Sequence, residues 1–484
     1  MKTEKGYRIA FILIWASISG LCAYFIVHRA QWCLGDDAII MHQTGSGIPF
    51  SPADTVNPET GRFYPLAYLI YNVLLPFSDG YLPASAHYWL HAAMFALLCV
   101  SLAILFVSML SGMKPVWKYG LPLLGASAMV FKLYPDFLHC FSTIWVSYSL
   151  IAAFLLFTWL FHKRKRILYA LAALLAVNYA TYCLEYEFII PFSFGLFGLL
   201  FLRRQSDRKE KVYYALLLGS GILYLCLYAR LVLPHIQSAY DGAHFTRTTF
   251  AGNMLRMLAG NKIILLALAA GCIRLLGIRK GQSRYMFFDT VLLAGLGVCC
   301  GGLVLRLNWT MYYNLAALLL FPAVVYFSRH YLRPPVAALL LFALVGLHGY
   351  RIPRHIRDNQ QKRMETVQKM EGLKNSLLAG ESLFWYAPPI AQPGPETELR
   401  NWRKVTMEQY LGYLLHERDF MLDERTTFEA DLPGIWLEPV ENQSAAPSAG
   451  PAAMGTPCFS FEDITGYRIA PPARIPAPTA TGGR

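Results

Sequence analysis

Charge is scarce in this chain. Only 15% of its 484 residues are Asp, Glu, Lys or Arg, against about 25% in soluble domains. Hydrophobic residues make up 55% and the mean hydropathy is +0.37, so the composition is that of a membrane protein. No CxxC pair occurs, which argues against a zinc knuckle or a dithiol redox site. The ten cysteines include Cys22, Cys99, Cys226, Cys272, Cys299 and Cys300 inside apolar runs, where a thiol behaves as a small hydrophobe. No internal repeat is visible. No small-residue cleavage site follows the first apolar run, so it reads as a retained helix and not as a signal peptide.

What is present is a succession of apolar runs long enough to span a bilayer, about 20 residues each or somewhat shorter. They are 7–28, 86–111, 119–134, 140–161, 167–184, 188–202, 212–233, 262–278, 286–305, 312–327 and 335–349. The expected fold class is an all-α polytopic membrane protein of about eleven transmembrane helices, with interfacial segments in the first outer loop around 63–77. Residues 1–350 form the expected membrane domain. Residues 351–440 read as a small extracytoplasmic α/β segment, with helices over 354–378 and 396–416 and a strand at Ser382–Tyr386. From Glu441 the Ala/Pro-rich sequence reads as a disordered tail.

The net charge of +13 lies in short clusters between runs, such as Lys163–Arg166 and Arg203–Lys211. Clusters of that kind are topology signals and not a nucleic-acid groove. They place the N-terminus in the cytoplasm and leave the other side poor in Lys and Arg. With an odd number of spans, the C-terminus is extracytoplasmic.

The outer loops carry the candidate chemistry. Asp36 and Asp37 open the first loop, 35–65, which closes with Gly61-Arg62-Phe63-Tyr64-Pro65. Asp136 follows the third run, and Glu185 and Glu187 follow the fifth. The fourth outer loop holds His235, Asp241, His244 and Arg247, and the fifth holds Arg306, Asn308, Trp309, Tyr312 and Tyr313. Carboxylates beside hydrocarbon are partly desolvated, which makes them better proton acceptors. An arginine at the same level can neutralise a phosphate. Each residue also has a plain reading, as a boundary carboxylate, a snorkelling arginine or part of an aromatic belt. His235 and His244 match no standard zinc spacing.

The layout resembles the GT-C superfamily of integral membrane glycosyltransferases. Four features carry the resemblance over roughly residues 1–350: Gly35-Asp36-Asp37 just after the first helix, a long outer loop with interfacial segments, a second acidic residue, Asp136, and a many-helix body with an extracytoplasmic C-terminal part. The Gly61–Pro65 segment is similar to bacterial surface-polysaccharide members. No WWD-type motif is present, which sets the oligosaccharyltransferase branch aside.

The resemblance implies a polyprenyl-phosphate sugar donor and a glycan, lipid or protein acceptor, in a bacterial inner membrane. It implies Asp36 as general base, with Asp37 as its alternate or orienter. Asp136, Glu185 and Glu187 would hold substrate hydroxyls, together with Tyr64, Asn308 and Tyr312 as further substrate contacts. Arg306, with Arg62 and Arg247, would stabilise the departing phosphate. Some members use a divalent metal near these carboxylates and others do not. The competing functional classes are a lipid-linked glycan flippase and a non-catalytic subunit of a polysaccharide assembly complex.

Overall fold

The computed structural model describes residues 2–29, 36–59, 61–78, 81–138, 142–184, 186–202, 207–236, 250–279, 287–304, 310–388, 395–439, 450–461 and 464–470. In chain order the helices are α1 (Lys2–Arg29), α2 (Asp36–Gly45), α3 (Ala84–Met109), α4 (Pro115–Phe137), α5 (Ser142–Arg164), α6 (Ile167–Thr181), α7 (Ile189–Leu202) and α8 (Arg208–Leu231). They continue with α9 (Phe250–Gly260), α10 (Lys262–Arg279), α11 (Phe287–Val304), α12 (Thr310–Tyr331), α13 (Pro334–Gly349), α14 (Ile352–Leu378) and α15 (Pro395–Leu415). The chain divides into two compact units. Met1–Gln31, Pro49–Pro76 and Pro83–Gln360 form the first; Trp32–Ile48, Phe77–Leu82 and Gln361–Arg484 form the second.

The first unit is a helical membrane body. Each apolar run expected from the sequence falls on a helix. By length and hydropathy alone, six helices among the described residues are able to cross a bilayer. The broken pair Gly252–Gly260 and Lys262–Gly277, bent by 95°, raises this to seven when taken as one span. The polytopic membrane fold therefore stands, whereas the count of eleven crossings does not follow from these criteria. Helix α5 is the most enclosed of the qualifying helices and packs on α3 and α6. Helices α1 and α8 turn most of their apolar surface outward, as a lipid-facing shell requires.

Small residues bring backbones together where α7 meets α8. A Cβ on Gly195 would lie 2.3 Å from the Leu218 nitrogen, and one on Gly221 would lie 2.9 Å from the Phe192 Cα. Close approach through glycine is a general device of membrane helix pairs, which have no hydrophobic driving force within lipid. A buried ion pair joins α10 to α11: Arg274 Nε and Nη2 donate to Asp289 Oδ1 and Oδ2 at 2.8 and 2.9 Å.

The Gly61–Pro65 segment is pinned to this body. Strands β1 (Val56–Asn57) and β2 (Arg62–Phe63) pair antiparallel. Gly61 takes a positive φ of 80°, a conformation that favours glycine. Tyr224 and Tyr228 of α8 donate their hydroxyls to the Phe63 and Gly61 carbonyls at 2.9 and 3.1 Å.

The second unit is α/β. Strands β3 (Leu383–Tyr386), β4 (Asp423–Arg425), β5 (Gly434–Pro439), β6 (Thr456–Phe461) and β7 (Ile464–Ile469) form one sheet in the order β4-β3-β5-β7-β6. Its β4, β3 and β5 are parallel, and β7 is antiparallel to both of its neighbours, β5 and β6. Two expectations are corrected here. The start of the first loop is helical over Asp36–Gly45, because Ala38, Ile40 and Met41 bury an apolar face and Gly47, with φ of 74°, ends it. The tail expected to be disordered from Glu441 contains β6 and β7. Their apolar residues Phe459, Ile464, Tyr467 and Ile469 complete the sheet core.

Candidate active site

In the first unit, Asp136 is a carboxylate held by donors from two other helices. It lies in the last turn of α4, after Pro135. Its Oδ2 accepts from the Tyr148 hydroxyl of α5 at 2.7 Å and from Asn314 Nδ2 of α12 at 2.9 Å. Two donors on one oxygen fix the carboxylate plane and leave Oδ1 as the acceptor atom for another group. Lys132, one turn back on α4, and His355 of α14 are near enough to act on its charge. Lys132 Nζ reaches the Gly260 carbonyl at 3.4 Å, at the break between α9 and α10. There Asn261 Nδ2 donates to the Tyr313 carbonyl at 3.0 Å. Tyr186 sits beside Tyr148, and its neighbour Glu187 is fully buried.

A second polar group, unremarked in the sequence, adjoins this one through α5. His87 and His91 are buried one turn apart on α3. The His91 ring lies 4.2 Å from Trp145, centre to centre, and its Nε2 is 3.1 Å from the Tyr71 hydroxyl. Trp145 precedes Tyr148 by one turn of α5. Two histidines four residues apart in an apolar helix share a face, and that spacing was the available signal.

Arg62 and Tyr64 pair with each other. The Arg62 guanidinium donates to the Tyr64 hydroxyl and lies over its ring, 5.6 Å from the centroid. His235 lines an open cleft of about 500 Å³ with Pro58, Glu59 and Pro234. Glu185, Asp241, His244, Arg247, Arg306, Asn308 and Trp309 lie outside the described residues. Tyr312 is on α12, with its side chain outside them. Among the described residues no three His, Cys, Asp or Glu side chains are grouped to hold a metal.

In the second unit, Asp36 and Asp37 form the first turn of α2. The Asp36 side chain is outside the described residues; Asp37 is 1% exposed. A helix N-terminus carries partial positive charge and favours a carboxylate there. Helix α2 packs on α15. His42, near its other end, donates from Nε2 to the Arg418 carbonyl at 2.9 Å. Burial lowers the His42 pKa.

No family model and no curated protein sequence matches the chain. Among solved structures, the chain is similar to the crystal structure of ArnT from Cupriavidus metallidurans bound to undecaprenyl phosphate. The TM-score is 0.51 at 10% identity, over 95% of this chain and 98% of that one. A likeness at that identity concerns the fold: this chain is an integral membrane protein with an ArnT-like polytopic fold.

Proposed function

We propose that the protein is a membrane glycosyltransferase that moves a sugar from a polyprenyl-phosphate donor to an acceptor hydroxyl on the outer face of the membrane. The observation that carries this reading is the ArnT-like fold along nearly the whole chain, in a neighbour solved with undecaprenyl phosphate. The carboxylate of Asp136, held by Tyr148 and Asn314, is the local feature that suits it.

The chain crosses the bacterial inner membrane eleven times in this reading, with a cytoplasmic N-terminus. Asp36 serves as general base, with Asp37 as its alternate or orienter. The Asp36 carboxylate takes the proton of the acceptor hydroxyl as the acceptor oxygen bonds to the anomeric carbon. The bond from that carbon to the phosphate oxygen breaks with its electron pair, so the anomeric centre inverts. Asp136, with Glu185 and Glu187, orients sugar or acceptor hydroxyls. Arg306, with Arg62 and Arg247, bears the charge that grows on the departing phosphate.

Asp36→Asn and Asp136→Asn test this in proteoliposomes containing a radiolabelled polyprenyl-phosphate sugar. Both variants are expected to keep their fold and donor binding, with transfer falling roughly 10²–10⁴-fold on loss of the base and up to about 10²-fold on loss of the orienting carboxylate. A flippase would instead move the labelled lipid between leaflets without breaking its sugar–phosphate bond. That result, or full transfer by both variants, rejects the reading.

A further inference from the structure

The second unit is assembled around the acidic helix. The cap of α15 grips α2: Glu417 N donates to the Gly412 carbonyl at 2.9 Å, His416 adopts a positive φ of 60°, and the turn so formed aims the Arg418 carbonyl at His42 Nε2. The imidazole lies against Gly412 so closely that a Cβ there would be 2.9 Å from His42 Cε1 and 2.8 Å from the Glu417 oxygen. Tyr81 stacks on His416 at 4.9 Å, and a Cβ on Gly45 would meet its ring at 3.0 Å. The Tyr413 hydroxyl donates to the Leu82 carbonyl. Ser46 and Gly47 close α2, with Ser46 Oγ donating to the His42 carbonyl at 2.7 Å. Helix α2 is only ten residues long, too short to hold its own shape in water. Its orientation is therefore set by α15 and the turn that follows.

We propose that the C-terminal unit positions the Asp36-Asp37 carboxylates for the transfer reaction, with His42 and Gly412 as the positioning residues. This deepens the glycosyltransferase reading and rests on it. His42 lies five residues along α2 from Asp37, about 7.5 Å at 1.5 Å per residue, so it touches no reacting atom in this role. Packed along α15, the ten-residue helix moves with its anchor, so a tilt at His42 reaches its first turn, and a misplacement of about 1 Å at a reacting group costs up to about 10²-fold.

The test compares the full-length chain and its variants in the same proteoliposome assay, with kcat and donor KM measured per folded molecule. His42→Ala and Gly412→Ala are expected to lower kcat about tenfold or more, with donor KM held within about twofold. His42→Gln retains an N–H able to reach the Arg418 carbonyl and is expected to recover most of kcat. Gly434→Ala is the control for general damage to the unit: its φ is 154° and a Cβ there meets the Ser382 oxygen at 2.7 Å. It is expected to lower stability while kcat per folded molecule stays at the wild-type value. Unchanged kcat in His42→Ala and Gly412→Ala, an equal loss in Gly434→Ala, or no recovery with His42→Gln overturns the positioning role while the transferase reading stands. Absence of transfer by the wild-type chain overturns both.

Discussion

Removing the two donors that hold Asp136 should expose what its orientation is worth. Tyr148→Phe deletes one hydroxyl, and Asn314→Leu deletes one amide of similar volume. Both bonds end on the same oxygen, at 2.7 and 2.9 Å. A hydrogen bond to a charged group contributes about 1.5–3 kcal/mol. If that free energy is expressed in the transition state, each single variant loses roughly 10- to 150-fold in kcat/KM.

The shared oxygen makes a sharper prediction. Either donor alone still restrains the carboxylate, whereas losing both frees its plane. The double variant should therefore fall below the product of the single effects, with a coupling of about 0.5–3 kcal/mol, the range for contacts within one network. The assay is label transfer in proteoliposomes over a range of donor concentrations, alongside thermal unfolding in detergent. Single variants within about twofold of wild type, or losses that multiply without coupling in protein of unchanged Tm, refute the assigned role of Asp136.

Other consequences are independent of the chemistry. Asp289→Asn leaves Arg274 charged and under-compensated between α10 and α11, so it should cost about 3–5 kcal/mol, read as a lower unfolding midpoint. Replacing both partners by apolar residues of similar volume should restore most of it. Gly195→Ala puts a methyl 2.3 Å from a backbone nitrogen of α8 and should cost about 1–3 kcal/mol by overpacking, measured the same way. In the second unit, burial raises the Glu438 pKa to about 6 from a usual 4.5. A raised carboxyl pKa means that the folded unit holds its proton longer than the unfolded chain. Stability contributed by the neutral group is full below pH 4.5 and declines as pH rises through about 6. Glu438→Gln should flatten that decline, seen in amide exchange of β5 as a function of pH.

The helices of the membrane body were legible because lipid leaves one signal above all others, an uninterrupted apolar run. Lys163, Arg164 and Arg329 lie in last turns of helices, as the basic clusters suggested. The fate of the first loop was not legible. Asp36–Gly45 mixes Ile39, Ile40 and Met41 with His42, Gln43 and Thr44, and it forms a helix because α15, more than 350 residues away in sequence, covers its apolar face. The sheet of the second unit was half visible. Leu383–Tyr386 announces a strand by its aromatic run, whereas Thr456–Phe461 is interrupted by Pro457 and Cys458 and hides behind an Ala/Pro-rich stretch. Within the candidate site, Asp136 stood out as a carboxylate after a span. Its partners Tyr148 and Asn314 did not, because Tyr and Asn are commonplace near helix ends, and only the folded chain shows their donors meeting one oxygen.

The most direct measurement is made on the purified wild-type chain. Reconstituted with a polyprenyl-phosphate sugar of known anomeric configuration and a panel of hydroxyl acceptors, the reaction is followed by NMR of the anomeric proton. The expected result is appearance of free polyprenyl phosphate together with one glycosylated product of inverted configuration, both abolished in Asp36→Asn. Donor that crosses the bilayer intact, or product that forms equally well with Asp36→Asn, contradicts it.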